Sequence, residues 1–295
     1  MLSDAETHHG MLDVAFVGHF ARDRLVIAGE AQMASGGGVY YGSMAARRLG
    51  HSVAVVTRLH PDDFHYLDEL RSEGIAVHAA GAPQTTGIEN VYPEHTMDRR
   101  VCHPLGSAGP FSAEDLPELG ARVTVITPLM AGEVSGRIVR LLASRGPIGV
   151  DVQGFARVPA GGMLITKDWS SKQSDLGAAT YLKADDAEAE VLTGSTDLRE
   201  SARVFAGMGP REVVLTHARG VLVYAGGRFY QAPFTPREVR GRTGRGDTTF
   251  ATYVATRLRA DADYACRLAA AVGSLKLEQP GPFRLTLADA EARMA

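Results

Sequence analysis

Short apolar runs rich in β-branched residues alternate with helical patterns that stop at glycine along most of this chain. Leu12 to Val17 reads as a buried strand ending at Gly18. Val53 to Thr57, Val123 to Thr127, Ile148 to Val152 and Val213 to Thr216 repeat the pattern. Such runs suit parallel strands buried on both faces. Between them, Tyr41 to Leu49 and Asp62 to Glu73 read as helices ended by Gly50 and Gly74. Glu133 to Ser144, Asp186 to Thr193 and Leu198 to Met208 follow the same habit. Glycine just past a helix readily takes the left-handed conformation that ends it. Further on, Phe250, Tyr253, Val254 and Leu258 mark one apolar helical face, and Tyr264, Leu268, Val272 and Leu275 the next. This alternation predicts an α/β fold: a mostly parallel sheet covered by helices on both faces.

Two regions break the rhythm. Arg24 to Met33 is a strand-like excursion, and residues 85–105 set Ile88, Val91, Tyr92 and Val101 among polar neighbours. Both predict antiparallel strands outside the main sheet, forming a small lid over an active site. Val221 to Gln231 reads as a hairpin turning at Gly226-Gly227. No repeat or long linker interrupts the pattern. A single domain over residues 11–295 is therefore expected, with lid strands around 20–35 and 85–105 and a disordered leader at 1–10.

Charge and composition remove several classes of function. With 31 Lys and Arg against 34 Asp and Glu, the formal net charge is −3, which gives no field for nucleic acid or an anionic membrane surface. No run reaches the roughly 18 apolar residues of a membrane-spanning helix. The first six residues carry acids and no apolar core, so no signal peptide is expected. Cys102 and Cys266 lie far apart, in no metal-ligand spacing, and read as free buried thiols suited to a reducing cytoplasm.

The segment Gly241-Arg242-Thr243-Gly244-Arg245-Gly246-Asp247-Thr248-Thr249-Phe250 carries the chemistry. Glycines let the backbone turn its N–H groups inward, and inward N–H groups at a helix N-terminus make an anion site. An aspartate at the mouth of such a nest suits the proton acceptor of an attacking hydroxyl. On the residues alone, Asp247 reads equally as a helix N-cap.

The segment resembles the C-terminal signature of the ribokinase-like sugar kinases, the PfkB family, roughly Asp-Thr-x-Gly-Ala-Gly-Asp. Thr243, Gly244, Gly246 and Asp247 match in register, while Gly241, Arg242 and Arg245 depart from it. The resemblance implies a ribokinase-like three-layer α/β/α sandwich with a β lid and an ATP-dependent phosphotransferase that uses Mg2+. It also implies that residues 244–247, Arg245 included, form the anion hole, with Asp247 as the base.

Further stretches resemble the same family in order along the chain. Gly18 to Asp23 is similar to the first-strand turn, where Asp23 would hold substrate hydroxyls. Gly36 to Gly50 is similar to the N-terminal Gly-Gly signature, which places Gly36, Gly37 and Tyr41 at the substrate; Tyr41 stands where the family usually has Asn. Asp185 to Gly194 resembles the Asn-x-x-Glu motif, with Asp185 and Glu188 then near magnesium. The competing reading is an acidic first helical turn favoured by the macrodipole. Thr216, Arg219 and Gly220 match a shortened nucleotide-side turn, and Ala270 and Gly273 a small-residue helix flanking adenine. With Lys183 and Thr243 they make up the ATP-binding set that the resemblance implies.

Val150 to Val158 is similar to the Asp-x-Gln-x-x-x-Arg segment of plant myo-inositol kinases, which adds Asp151, Gln153 and Arg157 to the substrate set. The implied acceptor is a sugar or cyclic polyol, with a nucleoside as the alternative. A non-catalytic ligand-binding relative is the reading from a different class. A homodimer is the assembly the resemblance implies.

Overall fold

A computed structural model describes residues 10–94 and 100–294 of the chain. In chain order the elements begin with β1 (Leu12–Val17), β2 (Ala21–Ile27), β3 (Glu30–Gly36), α1 (Gly38–Arg48) and β4 (Val53–Leu59). A 3-10 segment (Pro61–Leu67) precedes α2 (Asp68–Ser72), β5 (Ala76–Gly81), β6 (Gly87–Tyr92), β7 (Val101–Gly106) and β8 (Ala121–Ile126). Next come α3 (Gly136–Arg145), β9 (Ile148–Asp151), α4 (Gln153–Ala156), β10 (Arg157–Ala160), β11 (Met163–Thr166) and α5 (Lys172–Leu176). The C-terminal part holds β12 (Tyr181–Asp185), α6 (Asp186–Thr193), α7 (Leu198–Gly207), β13 (Glu212–His217), β14 (Gly220–Ala225) and β15 (Arg228–Pro233). It closes with α8 (Arg245–Arg257), α9 (Ala262–Leu277) and α10 (Leu287–Met294).

Nine strands form the main sheet in the order β15-β14-β13-β12-β9-β8-β1-β4-β5. Neighbours are parallel from β13 to β5, and the β14–β15 hairpin adds two antiparallel strands at one edge. The two-residue side-chain period divides the core. Val14, Phe16, Val123, Val125 and Val214 pack with Met44, Phe250 and Tyr253 on the face covered by α1, α8 and α9. Val17, Ile126, Val213 and Leu215 pack with Ile138, Leu142 and Phe205 on the other face. Three layers result, as the alternation of strands and helices predicts.

The two irregular regions build a second sheet, ordered β3-β2-β6-β7. The excursion expected near Arg24 to Met33 is a full hairpin. Ala28 and Gly29 make its turn with φ of 49° and 91°, the positive dihedrals that a tight hairpin requires. β2 pairs with β6 in parallel, so this small sheet is mixed rather than antiparallel throughout.

Other boundaries differ from expectation. Residues 62–73 form a 3-10 turn and a short helix rather than one helix, with Pro61 at the start and the His60 ring accepting from the Asp62 N–H. The helix expected from Glu133 starts at Gly136, capped by Ser135. The sequence reading passed over β5, β12 and the β10–β11 hairpin. In β12 the buried Lys183 interrupts the apolar run, so the strand lost its usual signature. Cys102 and Cys266 are free and buried, as expected. No described helix is long and apolar enough to cross a membrane.

Candidate active site

The strand order reverses between β1 and β8, from which the chain runs outward to β5 on one side and to β13 on the other. Crevices at the carboxyl ends of strands at such a switch point are where open α/β sheets hold ligands. The backbone is drawn tight there. A Cβ on Gly18 would lie 2.4 Å from the Thr127 carbonyl oxygen, and one on Gly38 would meet Thr127 and, at 2.9 Å, the Asp247 carboxylate. Asp247 therefore stands over the switch point, on the wall of a cleft of about 190 Å3.

The start of α8 supplies the anion nest. Gly244 caps the helix with φ of 80°. The Arg245 N–H donates to the Arg242 carbonyl (3.2 Å) and the Thr248 N–H to the Gly244 carbonyl (3.0 Å). The amides of Gly246 and Asp247 come before Thr248, the first intrahelical donor, and have no helical carbonyl as partner; the Asp247 amide lies by its own carboxylate. The expected four-residue nest is thus narrower by one: the Arg245 amide is already spent. Enclosure pushes the Asp247 carboxyl above the usual carboxylate range, against the pull of Lys183 and Arg157. No salt bridge ties Asp247 down among the described residues. A raised carboxyl on a cleft wall, free of any salt bridge, is suited to accepting a proton.

Beneath the nest lies a buried charge network. Lys183 Nζ donates to Asp151 Oδ1 (3.2 Å) and Glu188 Oε2 (3.4 Å). Burial works against its charge, but Asp151 and Glu188 carry the ammonium well above the ordinary lysine range. A Cβ on Gly246 would come within 3.5 Å of Lys183 Nζ, so the nest rests on this cation. Asp151 is 2% exposed and also accepts from the Gln153 N–H. It lies behind the wall as a counter-ion, whereas Gln153 and Arg157 face the cleft.

Asp185 lines the cleft, while Glu188 is buried. The two close a capping box at the start of α6: the Glu188 N–H donates to Asp185 Oδ1 and the Asp185 N–H to Glu188 Oε2, each at 2.8 Å. The capping reading and the magnesium reading thus fall on the same residues. Magnesium keeps most of its waters and asks for one or two carboxylates plus substrate phosphates; Asp185 on the cleft wall offers one carboxylate of that kind. Among the described residues, no group of three or more His, Cys, Asp or Glu gathers as a metal cage.

Asp23 faces the opposite side of the cleft. Its Oδ1 accepts from the Ile88 N–H (2.9 Å), and a Cβ on Gly36 would strike its carboxylate. Burial pushes its pKa up to about 6, the Ile88 N–H pulling the other way. Gly37 caps α1 with φ of 91°, close against the His19 carbonyl. The Tyr41 ring packs on Gly244, and its hydroxyl donates to the Ser35 carbonyl (3.4 Å).

The donor side departs most from expectation. Thr216 and Thr243 line the cleft; Arg219, Gly220, Ala270 and Gly273 do not. A Cβ on Gly273 would lie 2.6 Å from the Phe234 ring, so that ring fills the space beside α9. The Arg245 guanidinium stacks over the same ring, 4.9 Å from its centroid. Burial first, and then the Arg242 guanidinium, lower the Arg245 pKa. Arg100, Arg157, Arg242 and Arg245 all reach the cleft with Lys183.

Several lining residues escaped the sequence reading. Ile88, Asn90 and Tyr92 come from β6, and Leu129 follows β8. Tyr92 and Thr243 share a hydrogen bond of 3.2 Å between their hydroxyls. Arg100 also lines the cleft, while its neighbour Arg99 lies outside the described residues. The period-two pattern of β6 marked the strand but not which face met the cleft.

Comparison with known proteins agrees with this geometry. The model of the pfkB family carbohydrate kinases matches residues 11–286. A cytidine kinase of Thermococcus kodakarensis is 28% identical over 254 residues, covering 80% of this chain and 85% of its own length. A pyrophosphate-dependent kinase in the ribokinase family, solved as a sulfate complex, shares 36% identity with a TM-score of 0.88. The match covers 95% of this chain and 99% of that one. A structure of such a kinase with a pyrophosphate analog and myo-inositol gives 36% identity, a TM-score of 0.87 and the same coverage. The Arabidopsis thaliana ribokinase complexed with ribose and ATP has the same fold, with a TM-score of 0.76 at 18% identity over 97% of this chain and 99% of that one. The family model spans most of the chain and the three-layer fold is shared: this chain is a member of the pfkB family of carbohydrate kinases.

Proposed function

We propose that this kinase moves a phosphoryl group from pyrophosphate to a hydroxyl of a cyclic polyol, with Asp247 as general base. The observation that carries the donor assignment is the filling of the space beside Gly273 by Phe234, with Arg245 stacked on it. A flat base has no slot there, while Arg100, Arg157, Arg242, Arg245 and Lys183 offer positive charge to a compact polyanion. Guanidinium groups match phosphate oxygens two at a time. The relatives that act on pyrophosphate and bind myo-inositol support the same reading.

In this mechanism Asp23 and Gln153 hold acceptor hydroxyls, and Asp247 takes the proton of the attacking one. The new O–P bond forms as the donor's bridging P–O bond breaks, and inorganic phosphate leaves among the arginines. The Gly246 and Asp247 amides stabilise charge on the moving phosphoryl group, where catalysis of this kind gains most. Magnesium held through Asp185 would neutralise charge on the donor oxygens. Lys183, locked by Asp151 and Glu188, keeps a fixed positive charge under the nest.

ATP, the donor expected from the sequence, is the second reading; in its favour stand the ATP complexes among proteins of this fold. The test is a matrix of donors and acceptors with magnesium, followed by phosphorus NMR. Pyrophosphate and ATP are each offered with myo-inositol, ribose and cytidine. Acceptor-dependent consumption of pyrophosphate is expected, with myo-inositol turned over best. Turnover with ATP and none with pyrophosphate would overturn the donor assignment; a preference for cytidine would overturn the acceptor.

A further inference from the structure

Lys276 lies in the last turn of α9 and is 2% exposed. Its ammonium donates to the Gly241 carbonyl (3.1 Å) and the Gln279 carbonyl (3.4 Å). It also sits 5.6 Å from the centroid of the Tyr41 ring, the ring that packs on Gly244. Among the described residues no carboxylate forms a salt bridge with it. An ammonium buried without a paired anion is costly, and here its hydrogen bonds go to the backbone that leads into the nest.

The same stretch is anchored from below. The N–H groups of Arg240 and Gly241 both donate to the Leu277 carbonyl, at 2.8 and 3.1 Å. Leu277 is among the C-terminal residues of α9 whose carbonyls lack helical partners. Gly241 approaches so closely that a Cβ there would lie 2.6 Å from the Gln279 carbonyl oxygen. Three contacts from one helix end therefore fix Gly241, three residues before the glycine that opens the nest.

We propose that Lys276 is a positioning residue for phosphoryl transfer, its ammonium holding the Gly241 backbone and the Tyr41 ring so that the Gly246 and Asp247 amides face the donor. The proposal rests on those amides receiving the phosphoryl group, and holds for either donor. Burial brings the Lys276 pKa down to about 8, against the nearby Asp247 charge. The other charged or titratable groups around it are Arg240 and Arg242 on the preceding loop, Tyr40 and Tyr41 on α1, and Tyr92 on β6. With its pKa there, the ammonium is present below about pH 8 and lost above it.

The experiment compares wild type with Lys276→Met and Lys276→Arg across pH, reading kcat/KM for the donor and KM for the acceptor separately. Wild-type kcat/KM should fall as pH rises through about 8. Lys276→Arg keeps its charge, so the ratio of its kcat/KM to that of wild type, which cancels titration of the donor, should climb over the same range. Lys276→Met should lose about 10²-fold in kcat/KM for the donor, the scale of a misplaced catalytic geometry, with acceptor KM within about twofold of wild type. A folded Lys276→Met enzyme with wild-type kcat/KM overturns the proposal, as does an alkaline fall identical in Lys276→Arg. A wild-type kcat/KM that stays level from about pH 7 to about pH 9 overturns it without any variant. An Asp247→Asn enzyme with normal turnover would instead overturn the nest assignment on which it stands.

Discussion

The ring of Tyr41 lies flat against the Cα of Gly244, so close that a Cβ on Gly244 would sit 2.2 Å from the ring. Gly244 also has φ of 80°, which side chains rarely accept. Two independent constraints therefore reserve position 244 for glycine. Gly244→Ala should lower kcat by about 10²-fold by displacing the nest, with circular dichroism unchanged. Gly244→Ala with Tyr41→Ala relieves the collision but not the dihedral, so only part of the activity should return. Wild-type turnover in Gly244→Ala would show that the nest tolerates displacement.

Asp247 forms no salt bridge among the described residues, and burial works against its charge. Asp247→Asn should therefore melt at or above the wild-type temperature at neutral pH, by the loss of a buried charge, while turnover falls by about 10²–10⁴-fold, the usual worth of a general base. Steady-state kinetics beside a thermal melt separates the two effects. A stable variant with intact turnover would move the base elsewhere.

Asp23 makes a prediction with opposite signs for stability and function. Burial raises its folded pKa to about 6 from the 3.8 of a free side chain. The unfolded chain gives up that proton more readily, so the group favours folding at low pH and loses that contribution as pH rises through about 6. Asp23→Asn keeps an oxygen for the Ile88 N–H and removes the buried charge. It should melt higher than wild type at neutral pH and the same near pH 4, while acceptor KM rises. Wild-type kcat/KM should fall as pH drops through about 6, when Asp23 takes up its proton.

Arg245 reports on the donor. Arg245→Ala should raise donor KM by about 10-fold or more, since hydrogen bonds to charged groups contribute about 1.5–3 kcal/mol, and leave acceptor KM unchanged. Arg245→Lys should restore only part of it, because an ammonium lacks the planar fork. Equal donor KM in all three enzymes would place the donor away from the Phe234 stack.

Asp185→Asn tests the dual use of the capping box. Asparagine caps a helix about as well as aspartate, so folding should be unchanged. The magnesium concentration for half-maximal rate should rise, and chelation of the metal should abolish turnover in both enzymes. An unchanged magnesium requirement would leave Asp185 with a capping role alone.

The strands flanking the switch point were legible because β1, β8 and β9 are short runs rich in apolar and β-branched residues, and the nest because its glycines sit directly before an amphipathic helix. β12 was not, since its central residue is a lysine whose two carboxylate partners, Asp151 and Glu188, come from other elements. The resemblance places Asp151 at the substrate, and only the packing shows it turned inward to that lysine. Phe234 left no mark either: a phenylalanine in a loop says nothing of which groove its ring will fill. Lys276 reads from sequence as an ordinary basic residue near a helix end, and its burial depends on a loop thirty-five positions earlier.

The hydroxyl pair of Tyr92 and Thr243 bridges the small sheet and the backbone that leads into α8. Any swing of that sheet away from the main body must sever the bridge at the moment solvent enters. On the proposed mechanism, a chamber open to water would also be one whose link to the loop before the nest is broken, which would disfavour splitting of the donor by water.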